Sequence, residues 1–237
     1  YIALLEGDDY WTSTEKLQKQ VDYLERNRHC AACFHNVDVV YDNEDDERAS
    51  HPFHVQPMKG FFSLPEIISD FFIPTCSTLF RARLFPEFPE WYYSLYCGDW
   101  PLHILNAEHG DYGYINEILA VYRVHAGGFL SGKNKDKGEA YKKTIYTMET
   151  INRGLNFRYD QRMKEQISLY HFKLADLLVS QNHPDEAIEH IKNAWNSSPF
   201  NRKIPKAMFL KVVVRMTCPQ AYGLVKAAWD RMKCLHR

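Results

Sequence analysis

Residues 1–11 read YIALLEGDDYW: an apolar run of strand length, Tyr1 to Leu5, breaks into Glu6, Asp8 and Asp9 around Gly7. A strand that is apolar on both faces belongs inside a mostly parallel sheet. Open α/β sheets place ligands beyond the carboxyl ends of such strands. Three carboxylates at that exit repel one another unless water or a shared cation intervenes. Gly-Asp-Asp taken alone reads as a solvated turn, so the rest of the chain has to move the reading toward a shared cation.

Downstream, TSTEKLQKQVDYLERN (12–27) carries a capping box, Thr12 with Glu15, ahead of an amphipathic helix. Leu17, Val21 and Leu24 recur at helical spacing and are expected to pack on the sheet. CFHNVDVVY (Cys33–Tyr41) reads as a strand, and residues 42–60 as a polar loop with an acidic tip. Ser63 is placed to cap a short helix from Leu64 to Phe71, and IPTCSTLFR (Ile73–Arg81) reads as a strand entered through Pro74. A Pro- and aromatic-rich loop leads into a helix from Asp99 to His109, ended by Gly110. Two short strands follow, Tyr112–Ile115 and Ile118–Val124, and then the Gly- and Lys-rich segment 125–138, the expected domain boundary.

From Glu139 on the pattern is helical. Between residues 168 and 201, Leu174, Ala175 and Leu178 on one helix and Ala187, Ile191 and Ala194 on the next match the small and apolar sites of one tetratricopeptide-like hairpin. The last stretch, 201–237, holds nine Lys/Arg against one acid, Asp230, together with apolar residues such as Val212 and Trp229. It reads either as the outer face of a helical domain or as a peripheral contact with an anionic membrane surface.

Composition narrows the class. A chain of 237 residues with a formal charge of −1 gives no sign of nucleic-acid binding. No stretch has the roughly 18 uninterrupted apolar residues of a membrane span, and nothing resembles a signal peptide. The expected location is therefore cytoplasmic, at most peripheral to the inner membrane face, with the six cysteines reduced. His29, Cys30, Cys33 and His35 in HCAACFH suggest a zinc site on paper, but no second Cys/His pair stands at a suitable spacing. A chain beginning inside a strand without Met is expected to be part of a longer protein.

Two further motifs bear chemistry. In CGDWPL, Asp99 stands at a helix start, either as a cap or as a carboxylate favoured by the helix N-terminus. In YRVHAGG, His125 ends a strand with Arg123 on the same side. Taken in order, YIALLEGDDYW…KL..Q, IPTCSTLFR, GDWPL and YRVHAGG resemble the family-2 glycosyltransferases of the GT-A fold, over residues 1 to about 131.

The resemblance implies an α/β architecture. Residues 1–132 would form the acceptor-side half of a Rossmann-like GT-A domain, and 133–237 an all-α domain. It implies a nucleotide-diphosphate sugar donor contacted by Glu6, Asp8 and Asp9, with Mn²⁺ or Mg²⁺ held by Asp9, Asp8 and His125. Asp99 would be the general base of an inverting transfer, with Trp100, Ser77 and Thr78 on the acceptor side. Glycan or lipid-linked glycan acceptors follow from similarity to bacterial envelope-polysaccharide enzymes. The family builds its nucleotide-base pocket from elements before the metal site, so residues 1–237 alone are expected to be inactive. The rival expectations are a protein-interaction hairpin attached to an inactive transferase remnant, and a metal-dependent phosphate-ester hydrolase. The hydrolase lacks the denser ligand set of a two-metal site.

Overall fold

The computed structural model describes residues 1–42, 49–125, 127–128, 136–206, 209 and 212. Most of the Gly- and Lys-rich segment, the centre of the acidic tip and nearly all of the basic C-terminal stretch, including Lys211, Arg215 and Trp229, lie outside the described residues. Two compact units are distinguished, Tyr1–Lys135 and Asp136–Arg237.

The first unit runs β1 (Ile2–Ala3), β2 (Tyr10–Trp11), α1 (Lys16–Arg26), β3 (Cys30–Asp42), β4 (His51–Pro52), β5 (Phe61–Phe62), α2 (Leu64–Ser69), a 3₁₀ turn (Thr75–Ser77), β6 (Leu79–Phe80), a second 3₁₀ turn (Glu90–Ser94), α3 (Asp99–Ala107) and β7 (Asp111–His125). It is an α/β unit with a mixed sheet in the order β1-β6-β3-β7-β2, to which β4 adds beside β3 and β5 beside β7. Its spine is the parallel pair β3–β7, which runs from Cys30 opposite Asp111 to Asp42 opposite His125 with shifts of register between. Residues 30–37 are buried without alternation, as a strand covered on both faces must be.

Five sequence expectations are corrected. Residues 1–5 do not form a central buried strand: only Ile2–Ala3 pair, antiparallel to β6, and Tyr1, Ile2 and Leu5 are exposed. The Thr12 capping box is absent. Thr12 continues the sheet through its N–H to Leu119 O (3.0 Å), and α1 starts later, with Ser13 Oγ accepting from the Glu15 N–H. The buried row of α1 is Lys16, Gln20 and Leu24, while Leu17 is 41% exposed. Finally, IPTCSTLFR is mostly a 3₁₀ turn with a two-residue strand, and the two strands expected at 112–124 are one continuous strand with a shifted register near His35–Val37.

Local chemistry explains the junctions. Ser63 and Glu66 form a reciprocal capping box on α2, Glu66 Oε2 accepting from the Ser63 N–H at 3.0 Å. Gly110 leads into β7 with φ +155, where a Cβ would lie 2.5 Å from His29 O and 2.9 Å from Ala31 N. Only glycine fits there.

The second unit is helical over its described length: α4 (Lys137–Gly154), α5 (Asp160–Ser180) and α6 (Pro184–Ser197). Asp136 caps α4, accepting from the Gly138 and Glu139 N–H groups. The α5–α6 turn passes through Asn182 at φ 66, a conformation asparagine tolerates well. Leu174, Ala175 and Leu178 on α5 and Ala187 and Ala194 on α6 are buried. Among the described residues no helix is long and apolar enough to cross a membrane.

Candidate functional site

The acidic turn at 6–9 lies between β1 and β2, and its position is fixed by the antiparallel pairing of β2 with β7, Tyr10 opposite Val121 and Trp11 opposite Ala120. That pairing carries residues 8 and 9 alongside the last residues of β7. The Arg123 N–H donates to Asp9 Oδ1 at 2.9 Å, and Arg123 Nη1 donates to the Asp8 carbonyl at 3.3 Å. Arg123 also pairs with Asp42, which ends β3. His125 Nε2 lies 2.9 Å from Asp8 Oδ2. Strand alternation puts Arg123 and His125 on one side, and both meet the acidic turn.

Carboxylate oxygens of Glu6, Asp8 and Asp9 all lie within 4.8 Å of one another. Asp9 is only 8% exposed, and its Oδ2 has no hydrogen-bond partner of ordinary geometry among the described residues. The Cys76 thiol also faces that carboxylate, and a thiol is a weak donor. Burial pushes the Asp9 carboxyl above its ordinary value against the pull of the Arg123 N–H. The hydrogen bond from His125 holds Asp8 below its ordinary value. Glu6 is exposed as a residue, yet its carboxyl is pushed up to about 7, first by loss of water and then by Asp9, Asp99 and Asp8. Tyr122 faces the same acids, and its phenol is raised to about 12, first by burial.

Asp99 approaches the acidic turn from α3. Gly98 occupies the cap position, so Asp99 is the first helical residue, with Oδ1 accepting the Trp100 N–H at 2.8 Å. Its Oδ2 accepts from Thr75 Oγ1 at 3.4 Å, and the same Thr75 side chain lies beside the Glu6 carboxyl. Thr75 therefore stands between the proposed base and the acidic turn. The Cys97 thiol lies against Asp99 as well, and the Tyr92 hydroxyl ties the aromatic loop to Gly98 O at 2.9 Å.

Glu6, Asp8 and Asp9 thus form one acidic cluster, to which His125 is bonded through Asp8 and which Asp99 approaches beside Glu6. The three acceptor-side expectations are corrected. Ser77 and Thr78 are fully buried, and their hydroxyls turn back to Pro74 O at 2.6 and 3.4 Å. Trp100 is core, donating from Nε1 to Ile67 O at 2.9 Å and packing on Phe71 with ring centroids 4.3 Å apart. Thr75, Cys76 and Tyr122 stand against the acids instead. Nothing in residue type or spacing marks them, because tertiary pairing alone brings them there.

The carboxylates of Glu6, Asp8 and Asp9, one of them with an unpartnered buried oxygen, are an oxygen-rich set of the kind a hard divalent cation such as Mg²⁺ or Mn²⁺ takes. Of the sequence-derived metal ligands, Asp8 and Asp9 belong to that set, whereas His125 stands beside it, bonded to Asp8.

Three uncharacterized proteins, one of Mycobacterium bovis and two of Mycobacterium tuberculosis strains CDC 1551 and H37Rv, are each 33% identical to this chain over 168 residues, 70% of this chain and 47% of theirs. The chain spans about half the length of the curated relatives it matches. No family model and no solved structure matches it.

Proposed function

We propose that this chain is the acceptor-side part of a metal-dependent, inverting glycosyltransferase of the GT-A type that uses a nucleotide-diphosphate sugar. The supporting observation is the convergence of carboxylates from two distant segments, Glu6–Asp8–Asp9 and Asp99, with His125 bonded to Asp8 and Thr75 standing between Glu6 and Asp99. A bound Mn²⁺ or Mg²⁺ would neutralise charge gathering on the departing nucleoside diphosphate. A His ligand favours Mn²⁺ slightly.

In this reading Asp99 takes the proton of an acceptor hydroxyl as its oxygen bonds the anomeric carbon and the bond to the diphosphate breaks. Thr75 and the Trp100 N–H fix the orientation of that carboxylate, each engaging a different oxygen. General bases are most effective when so held. Asp8 and Asp9 are anchored by β7 as well as by their own turn, where the Asp9 N–H donates to Glu6 O at 3.3 Å, so the donor side is held where the charge develops. The acceptor is a glycan or lipid-linked glycan, and the enzyme works at the cytoplasmic face of the membrane.

The test is a nucleotide-sugar panel with Mn²⁺ on the full-length protein, reading nucleoside diphosphate release with and without acceptor. Asp99→Asn is expected to lower kcat on the order of 10³-fold while donor affinity stays within twofold. Asp9→Ala is expected to abolish metal-dependent donor binding. Full turnover by Asp99→Asn removes it as base, and a full-length protein that binds no nucleotide sugar overturns the reading.

A further inference from the structure

Lys16 is fully buried, although it is a cation on a helix face where a leucine would pack. Its Nζ donates to Gln20 Oε1 at 2.7 Å and stands 4.2 Å over the Trp11 ring. A neutral amide and an indole face are modest partners for a desolvated charge, and burial accordingly lowers its pKa to about 8. Such a residue calls for an explanation beyond packing.

The explanation lies one bond further on. An ammonium group has donors only, so it claims the oxygen of the Gln20 amide and turns the NH₂ the other way. That NH₂ donates to Ser77 O at 2.8 Å. Trp11, braced by the same ammonium, donates from Nε1 to Cys76 O at 3.1 Å. Two successive carbonyls of the 3₁₀ turn Thr75–Ser77 are thus gripped from behind by α1 and β2. On its other side the turn presents Thr75 to Asp99 and Glu6, and the Cys76 thiol to Asp9.

We propose that Lys16, Gln20 and Trp11 are positioning residues, a buried clamp that sets the Thr75–Ser77 turn and through it the distance between the acidic turn and Asp99. The structural half of this proposal stands alone, whereas its catalytic half rests on the transferase reading. The clamp acts through backbone carbonyls and touches no substrate. Its loss lets the turn open, drawing the Cys76 thiol from Asp9, while the anchors of Asp8 and Asp9 on β7 stay in place.

The experiment uses the full-length protein with Trp11→Phe, which keeps the ring and deletes the donor, and Lys16→Met, which keeps the length and deletes the charge. Amide hydrogen exchange at residues 75–78, normally slowed by Ser77 N–H to Pro74 O and Thr78 N–H to Thr75 O, is expected to rise at least tenfold. Exchange in α1 and β3 should stay within threefold. In Mn²⁺-dependent turnover, kcat is expected to fall about tenfold, with Mn²⁺ affinity by electron paramagnetic resonance and donor KM both within twofold. Unchanged exchange at 75–78 in both variants overturns the clamp. Raised exchange with unchanged kcat overturns its catalytic half. Should Lys16→Met fail to fold, Trp11→Phe decides alone. If the parent transfers no sugar, the functional reading has failed, and exchange at 75–78 still upholds or overturns the clamp.

Discussion

In the sheet unit, the groups that meet come from far apart: His125 reaches Asp8 across 117 positions, and Arg123 reaches Asp9 across 114. In the helical unit the partners are near: His171 meets His190 across 19 positions, and the Asn201 amide reaches Glu165 O across 36. The first kind of contact exists only once the sheet has closed. The second arises whenever two neighbouring helices fold back. A site built from non-local pairings loses everything with one broken strand, whereas a helical hairpin yields by degrees. If that contrast holds, damage to one unit should leave the other's readout intact.

The largest effect is expected at the entry to β7. In Gly110→Ala the new Cβ meets backbone at His29 and Ala31, with no flexible side chain to move aside. Overpacking against backbone costs about 3 kcal/mol or more. The sheet unit should lose its cooperative transition, and Mn²⁺ binding at the carboxylates should vanish, while α4–α6 keep their own. A single shared transition in calorimetry, lost as one, would break the comparison.

The reciprocal change is Leu174→Ala. Leu174 is fully buried in α5, and truncating such a residue costs about 3 kcal/mol. Thermal denaturation should show the helical transition falling, with Mn²⁺ affinity in the sheet unit unchanged within twofold. Loss of cation binding here would mean that the site depends on the helices.

The same contrast governs what could be read from the sequence. The helices announce themselves by period, and Leu174, Ala175, Leu178, Ala187 and Ala194 are buried where spacing puts them. Even so, α1 shows the limit. Its apolar spacing points to Leu17, yet the sheet-facing row is Lys16, Gln20 and Leu24, because two polar residues on that row carry hydrogen bonds into the interior. Acids and the imidazole are legible from their chemistry and order. Thr75 is not, and a strand through IPTCSTLFR points to Ser77 and Thr78. A strand would have turned 75 and 77 to the same side, whereas the tighter 3₁₀ turn sends Thr75 to Asp99 and folds Ser77 back on Pro74. Residues 1–5 misled for a related reason: apolar content says that a segment can be buried, and not which neighbours cover it. In this unit they lie beside β6 and remain largely exposed.

The smallest effect concerns acid. In the helical unit, His171 and His190 stack with ring centroids 5.2 Å apart and Nδ1 atoms 3.0 Å apart, one ring donating to the other. Burial, with the neighbouring imidazole, lowers His171 from 6.5 to about 4, and burial lowers His190 as well, with Lys142 on α4 adding to the effect and Glu186 and Glu189 opposing it. The sign follows from proton counting. Between pH 6.5 and 4 the unfolded chain binds protons that the folded hairpin refuses, so stability present above pH 6.5 is lost as pH falls through that window. One pKa unit is 1.36 kcal/mol, and partial exposure reduces the full shift of His171 to roughly 2 kcal/mol. The sheet unit has its own buried imidazoles, His35 and His103, each held near 4 by burial. A bare acid titration therefore weakens both units and distinguishes nothing. The difference between the parent and His171→Phe does distinguish them, because His35 and His103 cancel. The ring stack is kept, and the acid-dependent part of the urea midpoint for α4–α6 should shrink by about half. An unchanged slope between pH 4 and 6.5 would mean that the imidazole pair opens before it titrates, and that the helical unit yields to acid elsewhere.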